Sequence, residues 1–415
     1  MNDLIEAVAG RRTPWILDGD RSWTGPALLR QARASLPTAP GVVLVRARDG
    51  LAATVSGLLS AVLAGRVPLL WPARVPPPPW LTALAADPAV LLSELAEQAR
   101  GDVHPRSVVG VCSSGSSGTG KVVLLDLDRA FRNAAATADR LGPGEDRLVA
   151  SLRSPAYSAG LVGDVLPTLL SGARVWSPPV SAPELSAPML GRFPPADVHC
   201  SAAVADRVAD AVPRTIRRWV LSGDLLPTGL VARLRATMPD AELWSAYGLS
   251  EAGPRVAVGP VGAEHATGDL PDPLPGIDIA LEEGELTVRT PYTALAVIDR
   301  NGLRRVPADP LRTGDLGTPL TGGGIRLLGR RSSGFPVGGH WVLGDQVESE
   351  LAEEGISGKV VAAPGGWLVS LPGTDPASAA QVRRALKRLY PFLPAPAVVV
   401  GGGFRLNEAG KRVAR

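Results

Sequence analysis

Val108-Val109-Gly110-Val111-Cys112 runs directly into Ser113-Ser114-Gly115-Ser116-Ser117-Gly118-Thr119-Gly120-Lys121, and that in turn into Val122-Val123-Leu124-Leu125. Two apolar, β-branched runs thus enclose a loop of glycines and hydroxyl residues that closes on a lysine. Glycine permits close approach and unusual backbone angles, and the amides and hydroxyls of such a loop can donate to phosphate oxygens. The lysine adds a charge of the right sign. A flexible Ser/Gly linker is the alternative, and the tight apolar flanks argue against it. Gly115 to Lys121 also fits the first seven positions of the Walker pattern, but Val122 stands where Ser or Thr must reach magnesium. That pattern moreover opens a helix at its lysine, whereas Val122 to Leu125 read as a strand. The expectation is strand, loop, strand, and a P-loop NTPase is disfavoured.

The neighbouring sequence alternates short β-branched runs with helical patterns. Val42 to Val45, Val67 to Trp71, Val90 to Leu92, Leu148 to Ala150, Ala173 to Trp176 and Trp219 to Leu221 read as strands. Between them, residues 51–64, 80–86, about 127–141 and 160–171 read as helices. Such alternation predicts an α/β protein with a mostly parallel sheet. From about residue 277 the texture changes to short strands at Ile277 to Leu281, Glu285 to Arg289 and Ile325 to Leu328, which predict an antiparallel subdomain. Helices near 345–354 and 377–390 then suggest a small α+β terminal domain. The expected division is a large domain over 1–328, a hinge at 329–332 and a small domain over 333–415.

Composition narrows the classes. The chain has 415 residues, 45% hydrophobic and 20% charged, which suits a globular protein with a large core. Its net charge of +3 is small and its basic residues are scattered, so nucleic acid is not expected as a partner. Cys112 and Cys200 show no metal or disulfide spacing, and a reducing compartment follows. The acidic start, Met1 to Glu6, and the short apolar stretch at 51–65 argue against a signal peptide, a membrane span or a membrane partner. A cytoplasmic protein is the reading. Only Lys121, Lys359, Lys387 and Lys411 are lysines against 39 arginines, so each surviving lysine carries information.

This strand–loop–strand cradle resembles the phosphate loop of the adenylate-forming, or AMP-binding, superfamily of acyl-CoA and aryl-CoA synthetases, luciferases and peptide-synthetase adenylation domains. Ser113 to Lys121 match the family's loop with Gly120 in place of proline, and Val122 replaces its final glycine. Tyr247-Gly248-Leu249-Ser250-Glu251 resembles the family's Tyr-Gly-x-Thr-Glu, preceded by Ser222-Gly223-Asp224. Gly284-Glu285-Leu286 and Thr313-Gly314-Asp315 follow in the family's order, then Gly329-Arg330-Arg331-Ser332 at the hinge and Gly410-Lys411 near the carboxyl end. The resemblance covers nearly the whole chain and implies a shortened member.

What it implies is an AMP-forming ligase that uses ATP and Mg2+ to convert a carboxylic acid to an acyl adenylate. Ser113, Ser114, Gly115, Ser116, Ser117, Gly118 and Ser250 would hold the phosphates, and Tyr247, Gly223, Asp315 and Arg330 the adenosine. Glu251 would bind magnesium, and Lys121 and Lys411 would supply charge during catalysis. Transfer to the thiol of coenzyme A or a phosphopantetheinyl carrier protein would follow rotation of the small domain about Ser332. Ser332, Pro336, Trp341 and Gln346 depart from the family's hinge and thiol-side signatures, so transfer to an amine, another ATP-dependent activation, or a non-catalytic adenylate-binding relative stay open. Counting back from Gly172-Ala173, Ser158 takes the place of an aromatic or histidine gate. Ala159 takes that of the aspartate by which α-amino-acid-activating domains hold the ammonium. The resemblance therefore points to a small or aromatic acid against Tyr157, Ser158 and Gly248. Val382, Leu386 and Leu389 share a helical face opposite Arg383, Arg384, Lys387 and Arg388, a solvated face or a dock for an acidic carrier.

Overall fold

The computed structural model describes residues 2–38, 41–47, 50–86, 107–113, 121–142, 144–145, 147–178, 190, 196–210, 212–307, 309–364, 366–371, 376–401, 404–406 and 412–414. Ser114, Gly115, Ser116, Ser117, Gly118 and Lys411, the strand expected at Val90 to Leu92 and the segment Thr119-Gly120 lie outside them. No helix among the described residues is long and apolar enough to cross a membrane.

Two sheets carry the site. The first has eight strands in the order Ala257–Pro260, Glu242–Tyr247, Arg218–Ser222, Asp197–Cys200, Leu148–Ser151, Arg174–Trp176, Ile16–Asp18 and Arg21–Trp23. Its six inner strands are parallel and only the two edges run antiparallel. The second orders Gly302–Arg305, Ala296–Asp299, Lys121–Asp126, Val108–Ser113, Val67–Trp71 and Val42–Arg46. Across the two sheets most pairings are parallel, as expected, and this second sheet carries the antiparallel exception. Val42–Arg46, Val67–Trp71 and Val108–Ser113 are parallel, but from Lys121–Asp126 onward every pairing is antiparallel. Loop length explains it, since a parallel return needs a crossover of about a dozen residues or more and the glycine-rich loop is too short to supply one.

The antiparallel texture after residue 277 forms a four-stranded sheet of Asp278–Glu282, Glu285–Arg289, Leu311–Pro319 and Ile325–Arg330. The hairpin Ala296–Asp299 and Gly302–Arg305 leaves that sheet and extends the second one, pairing Ala296 with Leu124. Beyond Ser333, two helices, Gly344–Glu353 and Pro376–Leu389, pack with short strands around a separate apolar cluster that includes Phe335, Leu351, Val369, Val382 and Leu386. In the second of these helices the apolar face is buried as expected, and Arg383, Arg384, Lys387 and Arg388 are exposed.

Two helices brace the site. Leu127–Leu141 begins where Asp126 Oδ1 accepts the Arg129 amide at 2.9 Å and ends on Gly142, whose φ of 54° is left-handed. Its buried face, Leu127, Ala130, Asn133, Ala134, Thr137, Ala138 and Leu141, recurs at the three- and four-residue steps of an amphipathic helix. Asn133 is the useful exception to its apolarity: its amide nitrogen donates to Arg255 O at 2.8 Å and its oxygen accepts from Arg255 N at 3.0 Å. The second helix spans Ser158 to Ser171 and widens into a π turn at Leu161–Val165, a feature often found at functional sites. Gly160 lets it approach Ser154, since a Cβ there would lie 2.3 Å from the Ser154 carbonyl oxygen.

Replacing Asn133 by alanine leaves a buried amide and carbonyl of Arg255 unpaired, so Asn133→Ala should cost about 2–4 kcal/mol in urea unfolding. A loss below about 0.5 kcal/mol, the scale of a neutral surface change, would contradict this bracing role.

Candidate active site

Ser113 and Lys121 face each other in register at the ends of the paired strands, so the glycine-rich loop springs from a fixed mouth. Lys121 Nζ lies 2.5 Å from Glu251 Oε1. Glu251 stands on the short 3-10 turn Ser250–Ala252, just past the strand Glu242–Tyr247, so this ion pair joins the two large sheets. Burial by itself would raise the Glu251 pKa, but the Lys121 charge and hydrogen bond outweigh it and hold the carboxyl below its ordinary range.

A second chain of contacts lies along the same cleft. Tyr247 donates its hydroxyl to Asp315 Oδ2 at 2.7 Å, and Arg330 Nε meets Asp315 Oδ1 at 2.9 Å. Burial and the Asp315 charge push the Tyr247 pKa well above its usual value, so the ring stays a neutral donor. Glu285, which sequence reading left without a role, braces this group: its Oε1 accepts Gly314 N at 2.9 Å and its Oε2 accepts from Arg312 at 2.7 Å and Arg331 at 3.2 Å. Asp345 reaches across from the helix Gly344–Glu353 to accept Arg330 N at 3.1 Å. Lys359, another of the scarce lysines, pairs with Glu348 at 2.8 Å. Burial nevertheless pushes the Glu348 carboxyl up to about 7.

One cleft of about 1000 Å³ is lined by Ser113, Lys121, Tyr157, Ser158, Gly223, Tyr247, Gly248, Ser250, Glu251, Asp315, Arg330 and Ser332. Every described residue singled out from the sequence as a site residue is therefore on it. Ser158 Oγ and Ser250 Oγ lie 2.7 Å apart, which ties the helix after Tyr157 to the turn before Glu251. Gly248 is obligatory by contact, because a Cβ would fall 1.8 Å from the Pro254 carbonyl oxygen. Gly223 has a φ of 97°, which favours glycine. Ser332 is exposed, on the short turn Arg331–Ser333.

Sequence reading missed the buried polar cluster behind this wall. Asp164, on the π turn and fully buried, accepts from Ser151 Oγ at 2.8 Å, Arg153 Nη1 at 2.8 Å and Arg255 Nη2 at 3.1 Å, and His199 Nδ1 lies 3.0 Å from it. Burial would raise its pKa, but Arg153, His199 and Arg255 together hold the carboxyl far below the ordinary range. Arg153 extends the cluster to Cys200 O at 2.5 Å and Ser222 Oγ at 2.7 Å. The one local signal was a lone acid in the otherwise apolar run Leu161-Val162-Gly163-Asp164-Val165-Leu166. Cys200, beside it, has its thiol pushed up to about 12 by burial and is chemically quiet.

Comparison with known proteins fits this geometry. The sequence model described as AMP-binding enzyme matches residues 69–316, more than half of the chain. An isonitrile lipopeptide synthase of Streptomyces coeruleorubidus is 32% identical over 226 residues, half of this chain and 14% of that protein. A long-chain-fatty-acid–CoA ligase of Yersinia pestis is 28% identical over 148 residues, 32% of this chain and 26% of that protein. The chain thus spans well under two thirds of the length of either relative. Among solved structures, the anthranilate CoA ligase AuaEII in complex with anthranoyl-AMP superposes with a TM-score of 0.78 at 16% identity, over 98% of this chain and 95% of that one. At such identity the likeness is one of fold.

Asp164→Asn removes the carboxylate that pairs with two buried arginines, and should destabilise the chain by about 3–5 kcal/mol at neutral pH. Because its folded pKa is depressed, the contribution of Asp164 is whole above about pH 4 and is lost as pH falls below that value. The variant should therefore show a flatter acid limb in stability against pH; an acid limb parallel to that of the wild type would contradict the assignment.

Proposed function

The chain belongs to the AMP-binding enzyme family, and from that premise we propose that it is an AMP-forming ligase that activates a small or aromatic carboxylic acid and passes the acyl group to a thiol. The observation that carries this reading is the convergence of Lys121–Glu251 and Tyr247–Asp315–Arg330 on one cleft. In the first step a carboxylate oxygen attacks the α-phosphorus of ATP, an O–P bond forms, and the bond to pyrophosphate breaks. Two anions meet, so the site must supply positive charge and oriented donors rather than a base.

The named residues suit those tasks. Tyr247 offers an aromatic face beside Asp315, whose two oxygens each keep a lone pair beyond the present bonds for the ribose hydroxyls. Ser113 and Ser250 line the cleft and, with the loop residues Ser114 to Gly118 that the family resemblance assigns to this task, would hold the phosphates. Glu251 is held ionised with one oxygen facing Lys121, which leaves the other for a magnesium ion, and that cation needs only one or two carboxylates beside phosphate and water. Magnesium bound there would neutralise charge on the phosphates. Lys411 is proposed as the second cation on the α-phosphate.

In the second step a thiol of coenzyme A or a carrier protein attacks the acyl carbonyl, a C–S bond forms and AMP leaves. We assign residues 329–332 as the hinge and the residues from 333 onward as the moving domain. The separate apolar cluster after Ser333 supports that division. Trp341 is 62% exposed and Gln346 bonds Glu350 on its own helix, so neither reproduces the charged side chains usual on the thiol side. Acyl transfer to an amine is the alternative they favour.

The test is ATP–pyrophosphate exchange over a panel of carboxylic acids. Exchange should require one acid class, and Lys411→Ala should lower it by at least about 100-fold, the scale of losing one transition-state charge partner. Exchange with no acid, or exchange unchanged in Lys411→Ala, would overturn the reading. Mass spectrometry of products with coenzyme A, carrier thiols and amines then identifies the acceptor.

A further inference from the structure

One carboxylate behind the wall of the cleft faces two guanidinium groups. Asp164 bonds Arg153 and Arg255, and among the described residues neither arginine has another carboxylate partner. His199, the remaining ionisable group of the cluster, adds no negative charge. The cluster is thus left with at least one uncompensated positive charge, in a place where Arg153 and Arg255 are each 3% exposed. An unpaired charge at that depth is costly unless something of opposite sign meets it.

The two arginines differ in what they have left to give. Both terminal nitrogens of Arg153 are engaged, Nη1 by Asp164 and Nη2 by Cys200 O, Val220 O and Ser222. Arg255 makes one bond among the described residues, from Nη2 to Asp164, which leaves Nε and Nη1 as free donors in a buried side chain that lines the cleft. Its position is built rather than incidental. Asn133 clamps its backbone at both polar atoms. Gly163 makes room for the guanidinium, since a Cβ there would lie 2.4 Å from Nε. The backbone of Pro254 and Arg255 also packs directly against Gly248, and Arg255 lines the same cleft as Ser250 and Glu251.

We infer that the cleft selects a dicarboxylic acid, with one carboxylate activated beside Lys121 and Glu251 and the other seated on the free edge of Arg255. This rests on the ligase reading above and goes further by naming the substrate class. Arg255 is then the specificity-determining residue, and Asp164 and Asn133 are positioning residues that orient it.

The experiment compares matched acids in pyrophosphate exchange: butyrate with succinate, hexanoate with adipate, and benzoate with phthalate. For at least one pair the wild type should favour the dicarboxylate by at least about 100-fold in kcat/KM, because a site built to bond a charged group rejects the analogue lacking it. Arg255→Met should shrink that ratio at least about 10-fold, and Arg255→Lys, which keeps the charge and the fold, should retain more of it. A wild type that prefers the monoacid of every pair, or a ratio unchanged in both variants, overturns the inference and leaves the ligase reading intact. Absence of exchange with any acid overturns the ligase reading instead. Calorimetric titration with the three dicarboxylates then decides, since binding lost in Arg255→Met upholds the anion site and no binding to the wild type overturns it.

Discussion

The contact on which the site depends is the ion pair between Lys121 and Glu251, 2.5 Å apart and 130 residues distant in sequence. Lys121 begins the strand that turns the second sheet antiparallel, and Glu251 lies just beyond the parallel part of the first. Each sheet alone would present an isolated charge at the end of a strand. Where the two meet, the charges compensate each other, and the proposed reading gives the cleft between them a cation for phosphate and an anion for a metal.

The same economy recurs around the cleft. Asp315 is held by Tyr247 and Arg330, and Glu285 by the Gly314 amide, Arg312 and Arg331. Such half-buried pairs are satisfied without ligand yet can exchange partners when an anion or cation arrives, which is what an ATP site requires. The cluster at Asp164 is of another kind. It is buried except where Arg153 and Arg255 line the cleft, it ties together segments from residues 151 to 255, and its excess charge has no partner among the described residues to exchange. It braces the wall of the cleft and gives it a sign.

Much of this was legible in the sequence where local chemistry is decisive. The helix Leu127–Leu141 follows from its Asp126 cap, its three- and four-residue apolar steps and Gly142. The strand–loop–strand reading of Val108 to Asp126 was sound, and its short loop requires the antiparallel return found inside an otherwise mostly parallel architecture. The ordered motifs brought Lys121, Tyr247, Glu251 and Asp315 into one list, and folding brings them into one cleft. What local pattern could not reveal depends on long-range pairing. Ala296–Asp299 looks like one more short antiparallel strand until it is seen beside Leu124. Asp197–Cys200 carries an acid, a histidine and a cysteine, and becomes a buried strand only because Arg147 and Asp164 meet its polar side chains. Arg153, Asp164, His199 and Arg255 lie on four separate segments, so no spacing rule could have joined them.

The central claim is that this cleft joins a carboxylate oxygen to the α-phosphorus of ATP. The most direct measurement follows that oxygen. An acid labelled with oxygen-18 in its carboxylate is incubated with ATP, magnesium and the thiol or amine acceptor, and the products are weighed by mass spectrometry. The account predicts one labelled oxygen in AMP and none in pyrophosphate. Label that appears in inorganic phosphate, or AMP formed without label, would contradict it.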